Sequence, residues 1–165
     1  DAVAPHSSAL LTALTAAESP VAASALRAAA HLLIRDGASP DTTILSAVAR
    51  GLNHISVDVR KCVGVALANV FARLESPLET SLLKTVVPQL TNGCKESNSA
   101  VRCASELALI YALQLQKGQT TYEEYLKTCE GAAKNVLVEV HKSLSRVIRS
   151  GDLAYEALDN TLTAP

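Results

Sequence analysis

The sequence predicts an all-α protein, built as an α-solenoid of about four antiparallel helix pairs. Two observations support this prediction: the composition and an internal repeat. Hydrophobic residues make up 48 % of the 165-residue chain but aromatic residues only 3 %, so Ala, Leu and Val must build the interior. Ala and Leu are good helix formers, whereas sheet proteins rely more on β-branched and aromatic residues.

The repeat appears as two similar segments at neighbouring places along the chain. Val59-Arg60 closes the first segment and Val101-Arg102 closes the second. The separation along the chain between these two Val-Arg pairs also separates Gly51 from Gly93. This separation falls within the period of about 40 to 47 residues that is typical of HEAT and armadillo units. We therefore expect a HEAT-repeat α-solenoid in which each unit has a shorter first helix, a tight turn and a longer second helix.

Pro, Gly and capping residues predict where each helix begins and ends. Ser19-Pro20 and Ser39-Pro40 are helix-start signals, while Gly37, Gly93 and Gly118 stand where helices end. Eight helices are predicted, at residues 6–18, 20–35, 40–53, 56–74, 78–92, 97–116, 120–130 and 132–149.

These helices combine into one domain, residues 1–157, with pairs at about 6–36, 40–74, 78–117 and 120–149. The helix at 56–74 carries one apolar stripe at spacings of three and four residues, and the helix at 97–116 is apolar almost all round. The latter must therefore be covered by neighbours on several sides. The acidic tail 158–165 is expected to be disordered.

Charge and hydropathy argue against several classes of partner. Fifteen basic and sixteen acidic residues give a formal charge of −1, so no global field attracts a polyanion. The longest apolar runs, such as Leu107 to Leu113, fall well short of the roughly 20 residues that a membrane-spanning helix needs. We expect no contact with a membrane.

The four cysteines lack the spacing of a zinc site, because no CxxC pair is present. Cys62 and Cys103 lie on the apolar sides of predicted helices, which favours buried thiols and a reduced, cytoplasmic setting, although two disulfides remain an alternative. The chain contains no Met, so we expect it to be a fragment of a longer protein.

No pattern typical of catalysis is present. The sequence lacks a Gly-rich phosphate loop, GxSxG, HExxH and paired carboxylates, and its four histidines are far apart along the chain. We therefore expect no enzymatic activity, no cofactor, no metal and no small-molecule substrate.

Two groups of basic residues are candidate sites. Arg60 and Arg102 occupy equivalent places at the starts of second helices, where an Arg can fix the stacking of neighbouring repeats. The helix at 132–149 carries a basic stripe opposite its apolar face. Such a stripe is either a solvated polar face or a surface for an acidic protein segment or RNA phosphate. The stripe consists of Lys134, His141, Lys142, Arg146 and Arg149.

Three segments resemble a known family: Ser97-Asn-Ser-Ala-Val-Arg-Cys-Ala-Ser-Glu-Leu-Ala-Leu109, Ala132-Ala-Lys-Asn-Val-Leu-Val-Glu-Val-His-Lys-Ser-Leu144 and Leu158-Asp-Asn-Thr-Leu-Thr163. Together they are similar to the C-terminal HEAT-repeat region of the general control non-derepressible protein one family. The resemblance covers residues 20–163.

The resemblance implies a cytoplasmic scaffold that associates with translating ribosomes, senses stalling or collisions and activates the kinase of initiation factor two alpha. The implied partners are neighbouring HEAT repeats and translation-stress factors, with the ribosome and the kinase or its regulators as further candidates. In that family the kinase is contacted by repeats further upstream, so no kinase-binding residue is assigned here. The alternatives are a basic-stripe RNA-binding or ribosome-binding module and a HEAT fragment of a transport or phosphatase scaffold.

Overall fold

The computed structural model describes residues 40–150, together with Ala9, Thr12, Ala13, Leu26 and Ala29. The predicted pair 6–36 lies almost entirely outside the described residues, and the tail 158–165 lies wholly outside them. The described part contains helices and turns and no β-strand, which confirms the all-α class. Its six α-helices are α1 (Thr42–Arg50), α2 (Val57–Ala72), α3 (Thr80–Gly93), α4 (Ser99–Ala112), α5 (Thr120–Lys127) and α6 (Gly131–Ser150), and a 3-10 turn, Gly51–Asn53, follows α1.

Side-chain caps start two of these helices. The Asp41 carboxylate accepts hydrogen bonds from the backbone amides two and three residues further on, both at 2.9 Å, and so fixes the start of α1. Asn98 does the same for α4 at 3.0 and 3.1 Å. Each cap satisfies two of the amides that a helix N-terminus leaves without an intrahelical partner.

The end of α4 differs from the prediction, because the helix stops at Ala112, before the predicted end at residue 116. Gln114 adopts a left-handed backbone conformation with φ of 51°. Its amide donates to the Tyr111 carbonyl at 3.2 Å, and the Leu115 amide donates to the Ile110 carbonyl at 3.0 Å. This hydrogen-bond pair is a Schellman motif, which usually has Gly at the left-handed position. A glutamine there carries no helix-end signal.

The most extensive contact between two described helices joins α2 and α4, the second helices of neighbouring pairs. At its centre Gly64 faces Ala104, and a Cβ atom built on Gly64 would lie only 2.9 Å from the Ala104 Cβ. Both residues are buried. The absence of a side chain at Gly64 therefore lets the two helix backbones approach each other closely.

The sequence repeat is also visible in the packing of first helices on second helices. A Cβ atom on Gly51 would lie 2.6 Å from Val63 Cγ2, and one on Gly93 would overlap the Ser105 side chain. Gly93 is the repeat equivalent of Gly51, and Ser105 is the repeat equivalent of Val63. The contact of Gly51 with Val63 in one unit thus corresponds to the contact of Gly93 with Ser105 in the next, as expected of serially stacked HEAT units.

The last pair packs differently from the first two described pairs. Among the described helices α6 packs most closely on α3 instead of stacking on α4 as α4 stacks on α2. Its buried side chains include Leu137, Val140 and Leu144. Its opposite face is exposed to solvent.

The prediction that Cys62 and Cys103 are buried thiols is corrected by the structure. All four cysteines are free thiols, but Cys103 is exposed and Cys62 is only half-buried. The helical period placed Cys103 among apolar residues of α4, yet no described element covers it there. None of the helices within the described ranges is both long and apolar enough to cross a bilayer.

Candidate interaction surface

The exposed face of α6 carries the basic stripe. The helix buries one apolar face, so helical geometry turns the charged positions away from α3. Lys134, Lys142 and Arg146 are exposed, whereas the side chain of Arg149 lies outside the described residues. Three of the five predicted stripe residues are therefore placed where a partner can reach them.

An acidic residue interrupts this face. The Lys142 ammonium lies 2.8 Å from Oε1 of Glu139, and both side chains are more than half exposed. The hydrogen bond from Lys142 and its positive charge hold the pKa of Glu139 below its ordinary value. Exposed pairs of this kind contribute little to stability because water screens them. Glu139 does, however, reduce the net positive charge that a partner meets.

His141 lies in the contact between α5 and α6 and not on the open basic face. Its ring stacks on Tyr122 with centroids 3.8 Å apart and the planes 8° from parallel. Its Nε2 atom lies 2.8 Å from the side-chain oxygen of Gln119. Burial lowers the pKa of His141. The neutral form is therefore favoured at neutral pH, and His141 adds no fixed charge to the stripe.

Arg60 links two neighbouring helix pairs. Its Nη1 atom donates to the carbonyls of His54 and Ile55 at 2.8 and 3.0 Å, which holds the turn before its own helix. Its Nε atom lies 2.7 Å from Oε1 of Glu96, and its Nη2 atom donates to Oε2 at 3.2 Å. Glu96 belongs to the turn between α3 and α4. The two side chains are only 19 % and 25 % exposed, so this two-point ion pair is partly shielded from water.

Arg102 repeats the carbonyl contacts of Arg60 but, among the described residues, not its ion pair. Its Nη1 atom donates to the carbonyls of Glu96 and Ser97 at 2.9 and 3.4 Å, again six and five residues back along the chain. Glu96 is thus held from both sides, because its carboxylate contacts Arg60 and its carbonyl contacts Arg102. These contacts place Arg60 at the junction of two helix pairs, whereas Arg102 contacts the turn within its own pair.

Lys117 forms a further link between pairs, which the sequence pattern did not predict. Its ammonium donates to the carbonyls of Leu74 and Glu75 at 3.4 and 3.3 Å. It thereby satisfies carbonyl groups just beyond the end of α2. Lys117 is the repeat equivalent of Glu75, so the repeat could have indicated that these turns lie side by side.

A shallow groove of about 170 Å³ separates α3 from the last pair. No charged side chain lines it. Burial raises the pKa of Tyr125, so its hydroxyl stays protonated at neutral pH. Nor does any group of three His, Cys, Asp or Glu side chains in the described ranges have a metal-binding arrangement. The groove is lined by Val87, Pro88, Thr91, Asn92, Tyr125, Cys129, Ala133, Val136 and Leu137.

Comparison with known proteins places this arrangement in a family. The chain is 24 % identical over 159 residues to the human protein named stalled ribosome sensor GCN1, a match that covers 93 % of this chain and 6 % of that protein. No solved structure matches the chain. The model of the family described as "Stalled ribosome sensor GCN1-like, HEAT repeats" matches residues 5–162. The chain belongs to this family of GCN1-like HEAT repeats.

Proposed function

We propose that this chain is a non-catalytic scaffold segment of a cytoplasmic translational-control protein that acts on stalled or collided ribosomes. In this proposal the parent protein activates the kinase of initiation factor two alpha. The observation that carries the proposal is the family match over residues 5–162. The name of the human relative, stalled ribosome sensor, indicates the process.

The physical properties of the described residues support a scaffold. Most large apolar side chains of the described residues are buried between stacked helices, and Ile55 and Val57 are exposed exceptions. The groove beside α3 has no charged group that could orient a substrate. The links made by Arg60 and Lys117 hold neighbouring turns in register. Such a structure presents side chains at fixed separations over a long surface, which suits the binding of other macromolecules.

A ribosomal RNA contact through α6 is a second candidate. Four of the fifteen basic residues but only one of the sixteen acidic residues fall within 131–149, and Lys134, Lys142 and Arg146 are exposed. A local positive surface can therefore exist on a chain whose overall charge is −1. Binding to phosphate through this surface would weaken steeply as salt is added.

Cosedimentation with ribosomes can test the scaffold proposal and the RNA candidate together. The whole chain is mixed with collided ribosomes, with single ribosomes and with protein-free ribosomal RNA over a salt series. A scaffold of a stalled-ribosome sensor should sediment preferentially with collided ribosomes and should not retain free RNA. Equal recovery with collided and single ribosomes would contradict the proposal.

Charge reversal separates the RNA candidate from the scaffold proposal. The variant Lys142→Glu with Arg146→Glu removes two cations from the exposed face of α6. The matched control is Lys61→Glu with Lys84→Glu, which makes the same charge change at exposed positions of α2 and α3. If α6 contacts phosphate, only the α6 variant should lower the salt dependence, by about 0.7 to 0.9 in the log–log slope per lost contact. Equal effects of the two variants would exclude a specific contact at α6.

Activation of the kinase requires a separate test in cells. The parent protein is expressed with and without this segment, and phosphorylation of initiation factor two alpha is measured after ribosomes are made to collide. We expect less phosphorylation without the segment at equal protein level. An unchanged response would refute the part of the proposal that concerns the kinase.

A further inference from the structure

The repeat places two arginines in equivalent positions, but among the described residues only Arg60 has a carboxylate partner. Arg60 and Arg102 both use Nη1 to hold two carbonyls of the preceding turn. In Arg60 the remaining edge of the guanidinium, formed by Nε and Nη2, binds the two oxygens of Glu96. In Arg102 no carboxylate oxygen of the described residues lies within ion-pair distance of that edge.

We propose that the Nε and Nη2 edge of Arg102 is a binding site for the carboxylate of an Asp or Glu side chain in an acidic segment of a partner protein. In the Arg60–Glu96 pair a guanidinium held in this way binds a carboxylate through a hydrogen bond from Nη2 and an ion contact at Nε, and the Nε contact does not have hydrogen-bond geometry. Such binding suits Arg because its planar fork matches the two oxygens of a carboxylate. This site does not depend on the ribosomal role proposed above.

The surroundings of Arg102 leave room for an approaching chain. Ser99, Ala100 and Cys103 are exposed, and all three side chains are small. Arg102 itself is half-buried. A partner backbone can therefore come close to a guanidinium that already has a fixed orientation, which lowers the entropy lost on binding.

Within residues 40–150, no carboxylate fills the site. Glu106, one helical turn after Arg102, makes no ion pair with it among the described contacts. Burial raises the pKa of Glu106, although the positive charge of Arg102 acts to lower it. Glu130 stands in the turn that follows α5, and this turn, residues 128–130, is shorter than the turn that carries Glu96, residues 94–98. The shorter turn makes no ion pair with Arg102 among the described contacts. The shorter turn in the last pair thus provides no counterpart of Glu96 for Arg102 among the described residues.

A titration followed by NMR tests the site on the whole chain. The Nε–H resonances of the arginines are observed while a peptide of ten glutamates is added at low salt. We expect the Arg102 resonance to shift and saturate, whereas the Arg60 resonance, whose fork is occupied by Glu96, should not move. The variant Glu96→Gln provides a matched control, because it frees the fork of Arg60 and should make Arg60 respond as well.

Variants and competing probes make the outcome decisive. Arg102→Lys keeps the charge but removes the fork, and it should weaken peptide binding about tenfold if the two-point contact is correct. Unchanged affinity in a folded Arg102→Lys variant would overturn the proposal. So would a shift of the Arg102 resonance in Glu130→Gln without peptide, since that result would show that Glu130 already occupies the fork. Stronger shifts of Arg102 with a ten-nucleotide RNA than with the peptide would identify the ligand as phosphate and reject an acidic protein segment.

Discussion

At the scale of single residues, the stacked units depend on groups whose partners come from a neighbouring unit. Arg60 binds the carboxylate of Glu96, which belongs to the next pair. Lys117 binds the carbonyl of Glu75, which belongs to the pair before its own. These contacts are long-range in sequence but short in space because the pairs repeat. Substitution of either residue therefore acts on the junction between two pairs.

Thiol reactivity should differ sharply between two of the four cysteines. Burial, assisted by the nearby Glu106 carboxylate, raises the pKa of Cys94 to about 12, so its reactive thiolate form is scarce at neutral pH. Cys103 is exposed. With a chromogenic disulfide reagent near neutral pH, the fastest phase should disappear in Cys103→Ser and persist in Cys94→Ser. In denaturant all four thiols should react, and a fast phase that survives Cys103→Ser would contradict the assignment.

The Ser105 hydroxyl should destabilise the fold. It is fully buried, and no hydrogen-bond partner is present for it among the described residues. Val63 occupies the equivalent position one unit earlier. We expect Ser105→Ala to raise the free energy of unfolding by about 1 kcal/mol, because a buried unpaired hydroxyl loses its hydration without compensation. Urea denaturation provides the measurement.

The same change at Ser145 is the control for this prediction. The Ser145 hydroxyl donates to the His141 carbonyl at 2.9 Å, so Ser145→Ala should leave the stability unchanged or lower it. A loss of stability in Ser105→Ala as large as that expected for a broken hydrogen bond would show that Ser105 has a partner.

At the scale of helices, the sequence determined where helices exist better than where they end. Capping residues, Pro and Gly, together with the apolar periodicity of several segments, predicted every described helix, because burial of one face is a property of many residues together. The end of α4 depends on the backbone of Gln114 alone, and glutamine carries no helix-end signal. The environment of His141 could not be predicted for a similar reason. Its position around α6 puts it at the border of the basic stripe, but Tyr122, which stacks on it, belongs to another helix.

The end of α4 should become more stable with glycine at position 114. A left-handed conformation costs a residue with a Cβ atom about 1 kcal/mol, and glycine avoids that cost. Gln114→Gly and Gln114→Ala both remove the same side chain beyond Cβ. We therefore expect the Gly variant to unfold at higher urea than the Ala variant, with a difference of about 1 kcal/mol. Equal stability of the two variants would be incompatible with a left-handed residue at this position.

At the scale of the whole molecule, the contact between α2 and α4 joins one helix pair to the next. The sequence repeat predicted that such second helices are equivalent, and the family match agrees. The sequence could not indicate how closely the two helices approach, because the small size of Gly64 and Ala104 becomes meaningful only when both helices are in place. The contrast between Arg60 and Arg102 was equally beyond prediction, since the repeat fixes their positions and does not show that Arg102 lacks a carboxylate partner among the described residues.

Adding one methyl group at this junction should weaken it. Gly64→Ala gains helix propensity of up to about 1 kcal/mol, but overpacking costs about 1 to 3 kcal/mol. The new Cβ would also lie only 3.2 Å from the backbone carbonyl carbon of Ala104. We expect a net loss of up to about 2 kcal/mol, measured by urea denaturation. The double variant with Ala104→Gly should recover part of that loss, and simple addition of the two single effects would argue against direct contact.

Serial stacking of helix pairs, with α2 directly on α4, defines this fold. NOE spectroscopy of the whole chain in solution can detect this stacking. We predict a strong cross-peak between the Ala104 methyl protons and the Hα protons of Gly64, two residues that are distant in sequence and belong to different helix pairs. A well-resolved spectrum that lacks this cross-peak and instead connects Gly64 with residues of α6 would contradict the stacked solenoid.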